Sequence, residues 1–340
     1  MRILNIGDLH YGEHGNSQKY NEQVNEFIEY ICENYVGVVD KVVQVGDWFH
    51  HRNKIQVDTL SYAIVGAKKL EAAFGKENVY VLSGNHDLFY LNRLDVSSLA
   101  AIDPYVTVVD DLTSIGANVL LTPWIATDEM WDSVVAASQN HKTVIGHFEF
   151  SAFKMNEHYV MESGRSHKEL KDYTRVISGH YHTRQEKDNV TYIGTPYPIT
   201  FSEANQKHGV YILDTVTDEL KFEEYSKIKV ISIPYDQLDT IVDYDRANTR
   251  IRIEFPSDLD DESIIGDTVA KVSEMGFEGV KTQYAGKKLE KLLETSVEIA
   301  DVDNIDENII EAISQIDTDG IDKEILGDIY KLAIEASINE

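Results

Sequence analysis

The chain has 340 residues, a formal net charge of -28, and 42% hydrophobic and 26% charged residues. That is material for one large ordered domain and one or two small ones, without the roughly 18-residue apolar run of a membrane span. A lone cysteine, Cys32, excludes disulfides and thiolate metal sites, and the acidic balance argues against a broad basic surface for nucleic acid.

Residues 2–6 read as a first strand ending in Gly7-Asp8-Leu9-His10, and a chain that opens directly on a strand leaves no room for a signal peptide. Tyr20, Val24, Phe27, Ile28 and Ile31 follow at helical spacing. A second strand over 41–45 ends in Gly46-Asp47, and Val57, Leu60, Ile64, Ala67, Leu70 and Phe74 mark another helix. The third strand, 79–82, breaks at Ser83-Gly84 and runs at once into Asn85, His86 and Asp87. Strand, helix, strand, helix, strand with short loops demands parallel strands and right-handed crossovers. A third helix is expected through Val96, Leu99, Ala100 and Ile102, stopping before Pro104.

Strands are then expected over 106–109 and 118–121, a helix over 130–137, and a strand over 143–146 ending in His147. Another strand, 175–178, ends in Gly179-His180-Tyr181-His182, and strands 190–193 and 210–213 are expected to complete a second sheet. Two sheets with helices outside them make an α/β fold, a four-layer α/β/β/α sandwich. Composition shifts near Thr215, so the main domain is set at 1–215 and a small α+β capping domain at 216–286. Beyond it, 287–340 is periodic in Ile and Leu and reads as helices only. From 301 to 340 twelve Asp or Glu face two Lys.

The strand ends carry the chemistry. They supply Asp8 and His10, then Asp47, then Asn85, His86 and Asp87, then His147, and finally His180 and His182. In open α/β sheets ligands collect where parallel strands end, and an adjacent glycine lets the backbone turn a side chain into that crevice. Asp, Asn and His donors without cysteine suit two divalent ions, Mn²⁺ best, Fe²⁺ or Zn²⁺ next and Mg²⁺ least.

In that order D-x-H, G-D, G-N-H-D, G-H and G-H-x-H resemble the motif set of the calcineurin-like metallophosphoesterases. Gly46-Asp47-Trp48-Phe49, Gly146-His147-Phe148-Glu149 and Tyr192-Ile193-Gly194-Thr195-Pro196-Tyr197 are similar to the SbcD-type nuclease subunits of double-strand-break repair, in the compact form of T-even-like phages. The resemblance covers about the first 200 residues. It implies one metal on Asp8, His10, Asp47 and His182 and a second on Asp47, Asn85, His147 and His180, with Asp47 bridging. It also implies that His86 faces the scissile phosphate and that Asp87 supports it. Two ions roughly 3.5–4 Å apart acidify a shared water and stabilise an in-line displacement, and a histidine can protonate the leaving oxygen.

The activity implied is a DNA nuclease, 3′ to 5′ on duplex ends and endonucleolytic on single strands. The implied partners are DNA, an SMC-like ATPase held by the C-terminal helices, and a second copy across the 96–102 helix. No membrane is involved, and the expected location is the cytoplasm, that of the host for a phage protein. A small-molecule phosphodiesterase and a structural adaptor for the ATPase are the competing readings. His50 reads either as a support to the metals or as a surface residue, while His14, His51, His141, His158, His167 and His208 read as loop or surface residues. The stretch 148–167, with Phe150, Phe153, Tyr159 and Arg165, is expected at the mouth of the site, stacking on nucleic acid or simply packed. Arg52, Lys54, Arg93, Arg165, Lys168, Arg184 and Lys207 leave room for a local basic groove.

Overall fold

Alternation along the strands builds the layers, because successive side chains of a strand point to opposite faces. The computed structural model describes residues 1–155, 160–256, 259 and 262–285. Along β1 (Arg2–Ile6), Leu4 and Ile6 enter one core and Ile3 another. β2 (Lys41–Gln44) divides Val42 from Val43 in the same way, and β3 (Val79–Leu82) divides Val79 and Val81 from Leu82. With β4 (Thr107–Val109) these strands pair in parallel. The helices Gln18–Tyr35 and Val57–Phe74 cover the Leu4 side with Val24, Phe27, Ile28, Ile31, Ala63, Ala67 and Leu70.

The second sheet uses β5 (Thr113–Ile115), β6 (Val119–Thr122), β7 (Thr143–Gly146), β8 (Arg175–Ser178), β9 (Gln185–Lys187) and β10 (Val190–Tyr192) in the order β5-β6-β7-β8-β10-β9. Leu121, Ile145 and Ile177 meet Ile3, Val43 and Leu82 in a core between the sheets. Leu120, Val144 and Val176 point the other way, onto Trp131 and Val134 of the helix Asp128–Ala137. Helices, sheet, sheet and helix are the four layers the sequence implies.

Three expectations change. β11 (Gly209–Asp214) joins the first sheet, antiparallel to β1, and not the second. Its apolar run fits either sheet, and only the pairing of Leu213 with Ile3 decides. β12 (Glu219–Glu224) then pairs along β11, so the sheet continues past the boundary set at 215. One compact unit comprises Met1–Ser232, Ile241–Arg252 and Met275–Gly279; the other comprises Ile233–Thr240, Ile253–Glu274 and the chain from Val280 onward. Finally, the helix expected through 96–102 is only a 3-10 turn, Ser98–Ala101, opened by the Ser97 side chain and soon stopped by Pro104. Leu99 and Ile102 are buried in the first core, whereas Val96 is exposed.

β13 (Lys229–Pro234), β14 (Thr249–Pro256) and β15 (Glu278–Ala285) form a third sheet in that order, and the helix Glu262–Glu274 lies between the last two in sequence. The helices expected over 287–340 lie outside the described residues. Among the described residues no helix is long and apolar enough to cross a membrane.

Candidate metal centre and catalytic residues

All the strand-end residues singled out in the sequence converge at the same end of the two sheets. Sharp turns deliver them. Gly46 has φ +107°, and a Cβ there would lie 2.4 Å from His147 Nδ1; a Cβ on Gly84 would lie 2.2 Å from the Asp47 amide nitrogen. Three of the delivered residues are themselves left-handed: His10 at φ 51°, Asp47 at φ 54° and His180 at φ 83°. Non-glycine residues pay for that conformation, and such strain gathers at functional sites.

Among the described residues potential metal ligands form three groups: Asp8 with His10 and His182, Asp47 with His147 and His180, and, without a carboxylate, His10 with His50 and His86. His10 Nε2 lies 3.0 Å from His182 Nε2. His147 Nε2 lies 3.0 Å from Asn85 Oδ1, which His180 Nδ1 also meets at 2.9 Å. One oxygen faces both carboxylate-bearing groups: Asp47 Oδ2 is 3.8 Å from His10 Nε2 and 3.4 Å from His147 Nε2.

Tautomers make these contacts informative. The Val45 carbonyl can only accept, so the 2.8 Å contact fixes the proton of a neutral His147 on Nδ1. Its Nε2 is then a lone pair aimed at the Asn85 and Asp47 oxygens. Glu203 Oε1, 3.4 Å from His182 Nδ1, likewise leaves His182 Nε2 facing His10 Nε2. Around His147 acceptor faces acceptor unless a positive charge, a metal ion or a bound proton, lies between them, and the donor set fits divalent metal ions. In the metal-free protein protons take that place. Burial alone would lower the His147 pKa, but Asp47 overrides it and pushes it up to about 9. Burial is likewise outweighed at His182, mainly by Glu203, and its pKa also rises to about 9. Burial raises Asp8 to about 7, His147 opposes it, and Asp47 adds to it.

His86 sits at the edge of this cluster. Its amide donates to Asp47 Oδ1 at 2.8 Å, and its Nδ1 donates to the His50 carbonyl at 2.6 Å. That leaves Nε2 to handle a proton. Burial lowers the His86 pKa, partly countered by Asp47. Asp87 is 1% exposed and its carboxylate accepts from the amides of Trp48, Phe49 and Gly84. It braces the Asp47 loop against the His86 loop, so any help it gives His86 runs through the backbone.

Residues 1–184 match the calcineurin-like phosphoesterase family. The chain belongs to that family. Every strand-end residue described above lies inside the match. The calcineurin-like phosphoesterase is also 31% identical over 239 residues to "Exonuclease subunit 1" of Enterobacteria phage T4, covering 65% of this chain and 67% of the relative. Among solved structures it is similar to one described as a novel archaeal phosphodiesterase, with 13% identity, a TM-score of 0.34, and coverage of 66% of this chain and 100% of the other. Family and phage relative together support a phosphodiesterase, and the clustered donors suit divalent metal ions.

Around this phosphoesterase centre stand residues that the sequence reasoning did not assign. Glu149 Oε2 lies 3.3 Å from His180 Nε2, and Glu203 meets His182, so each histidine of Gly179-His180-Tyr181-His182 has its own carboxylate. Glu13 Oε2 lies 2.5 Å from His50 Nδ1, and the His50 ring stacks on His86 with centroids 5.5 Å apart. His50 is therefore part of the site and not a mere surface residue. Thr200 and Glu203 had a readable signal, the T-x-x-E capping box, but that pattern speaks of a turn and not of His182. His208 and His167 are buried, contrary to the surface reading: His208 Nδ1 meets Thr195, and His167 packs on Phe153 and pairs with Asp188. His158 and Tyr159 lie outside the described residues. Phe150 and Phe153 are buried core residues, the packed alternative of that reading. Of the basic residues, Arg93 pairs with Asp95, Arg165 with Asp128 and Lys207 with Glu224, while Arg184 stacks on Phe222. Arg52 and Lys54 line a cavity of about 420 Å³ with His51 and Phe89.

Proposed function

We propose that the chain is a Mn²⁺-dependent DNA nuclease, a 3′ to 5′ exonuclease on duplex DNA and an endonuclease on single strands, acting with an SMC-like ATPase in DNA end processing and recombination. The observation that carries this reading is Asp47 Oδ2, shared by two ligand clusters beside a histidine whose Nε2 is uncommitted. Asp8, His10, Asp47 and His182 would hold one ion, and Asp47, Asn85, His147 and His180 the other. A bound pair of divalent ions supplies an acidified water and neutralises charge on a phosphate in in-line displacement. The protein's own contribution is to hold the phosphate near His86, whose Nε2 delivers a proton to the leaving sugar oxygen. The negative phosphate also favours the protonated imidazole that burial disfavours. The phage relative's name as an exonuclease subunit supports DNA as the substrate.

The test is digestion of linear duplex and single-stranded DNA with Mn²⁺, with Mg²⁺ and with EDTA, with and without the ATPase. Absence of Mn²⁺-dependent cleavage under all these conditions would sink the nuclease reading.

Glu203 offers a finer test. The charged carboxylate accepts from the Ile199 amide at 2.7 Å and the Thr200 hydroxyl at 2.9 Å while facing His182. Glu203→Gln puts an NH₂ group against one of these donors and frees the His182 ring. Carboxylates behind ligating histidines are worth about 10–100-fold in metal affinity. Calorimetric titration should therefore show one of two Mn²⁺ sites weakened by about that factor, and two unchanged sites would remove His182 from the ligand set.

Three partner proposals remain. The part of the 216–286 segment beyond β12 contributes to DNA binding, and the 287–340 segment docks the ATPase, its acidic composition suited to a basic partner. Deleting residues beyond Val297 should abolish co-purification with the ATPase and leave Mn²⁺-dependent cleavage by the isolated subunit intact; retained ATPase binding assigns docking elsewhere. The homodimer would use the loop after Asp87, where Phe89, Tyr90, Leu91 and Val96 are each more than 40% exposed. An isologous contact there brings two active sites together. Sedimentation should give a dimer at micromolar concentration, and a monomer with and without DNA would count against it.

A further inference from the structure

Beside the ligand cluster lies a cavity of about 260 Å³ that phosphate chemistry does not use. Trp131 and Phe148 form its buried floor, Trp124 and Ile125 its wall, and Glu149 and Arg165 its rim. His147 lines it too, and the Trp124 ring stands 5.5 Å from the His180 ring and 6.2 Å from that of His147. The cavity therefore begins where the candidate metal ligands end.

Its polar groups are already engaged within the protein. The Trp124 indole N–H donates to the Leu91 carbonyl at 3.1 Å, and Arg165 Nη2 meets Asp128 Oδ1 at 2.7 Å with its guanidinium over the Trp131 ring. Glu149 faces His180. Gly164, at φ +99°, turns the chain so that the Arg165 amide bonds the Glu149 carbonyl at 3.2 Å and closes the rim. The surface left to a ligand is mainly the partly exposed Trp124 ring and the Ile125 side chain, since Trp131 and Phe148 are almost fully buried.

We propose that this cavity receives one unpaired nucleobase, that of the nucleotide flanking the scissile phosphate; the proposal rests on the nuclease reading above. A phosphodiester strand presents phosphate, sugar and base, and only the base is flat and apolar. The volume falls below the roughly 300–1,000 Å³ of typical small-molecule sites, which suits a single ring system. At a net charge of -28 the protein has little general attraction for phosphates, and base stacking on aromatic side chains supplies affinity without it. A base inside a duplex cannot enter, so the enzyme must act on nucleotides that are single-stranded, frayed or flipped.

The test uses short single strands with one cleavable linkage, all others being methylphosphonates, and a tetrahydrofuran abasic nucleotide placed immediately 5′ or 3′ of that linkage. In wild-type protein with Mn²⁺, removing the base on one side should lower kcat/KM by about 10- to 100-fold. Trp124→Ala should cleave the intact and abasic strands at similar rates, while Trp124→Phe keeps the preference. Equal kcat/KM for intact and abasic strands in wild-type protein overturns the proposal, whether or not Trp124→Ala folds; so does an undiminished preference in folded Trp124→Ala. Hydrolysis of bis(p-nitrophenyl) phosphate without any DNA cleavage overturns the nuclease reading, and this proposal with it. DNA cleavage indifferent to the base overturns this proposal alone.

Discussion

His86→Ala is expected to cut turnover by about 10²-fold or more while metal content stays near wild type. The geometry separates the two effects. His86 Nδ1 is committed to the His50 carbonyl, and its contact with Asp47 is through the backbone amide, which alanine retains. Removing the imidazole therefore leaves the Asp47 carboxylate oriented as before. The ring does touch its neighbours, with centroids 5.1 Å from His10 and 5.5 Å from His50, so a modest loosening of both is expected. Elemental analysis and single-turnover cleavage, run on the same preparation, check the prediction. A fall in metal content matching that of an Asp47 variant would make His86 a ligand and remove it as the proton donor. Substrates with a good leaving group sharpen the test: p-nitrophenolate needs no proton on departure, so the variant should lose much less on an aryl ester than on DNA.

The candidate centre was legible in the sequence because its residues sit in short motifs next to glycine at strand ends. Asp8, His10, Asp47, Asn85, His86, Asp87, His147, His180 and His182 each lie within a few residues of the end of an apolar strand, and parallel strands force such ends to one edge of a sheet. The groups that support them were not legible. Glu203 lies 21 residues beyond His182, and Glu149 closes the Gly146-His147-Phe148-Glu149 motif without any sign in it that its carboxylate faces His180. Trp124 follows a proline at a strand end and carries no motif, yet folding brings its ring beside His180. Sheet membership failed for a related reason. Gly209–Asp214 is apolar enough for either sheet, and its place beside Arg2–Ile6 rests on a pairing across 200 residues of chain, which periodicity does not encode. The short turn at Ser98–Ala101 was misjudged because Leu99 and Ile102 match a helical spacing that one turn already satisfies.

Asp47→Asn is the second large effect, and it tests the metal assignment itself. In wild-type protein Asp47 keeps its carboxyl ionised well below the usual range, for although burial opposes this, His147 outweighs it. Its two oxygens divide the work: Oδ1 holds the His86 amide at 2.8 Å, and Oδ2 faces His10 Nε2 and His147 Nε2. Asparagine has nearly the same shape and can keep the Oδ1 contact, so the loop should still close and the variant should fold. It lacks the negative charge, and where Oδ2 stood it presents a donor to any cation. Both clusters lose their common ligand in one step. Each retains neutral imidazoles and, in one cluster, Asp8, so the net charge available to two dications drops from two carboxylates to one. Bound metal measured by elemental analysis should fall for both sites together, and Mn²⁺-dependent cleavage should fall at least as far as in His86→Ala. High Mn²⁺ should restore occupancy more than cleavage, since mass action fills a weakened site but does not replace the lost charge at the bridging position. Wild-type occupancy and rate in the variant would remove the shared-ligand assignment; loss of a single ion would confine Asp47 to one cluster and leave the other to be held without it.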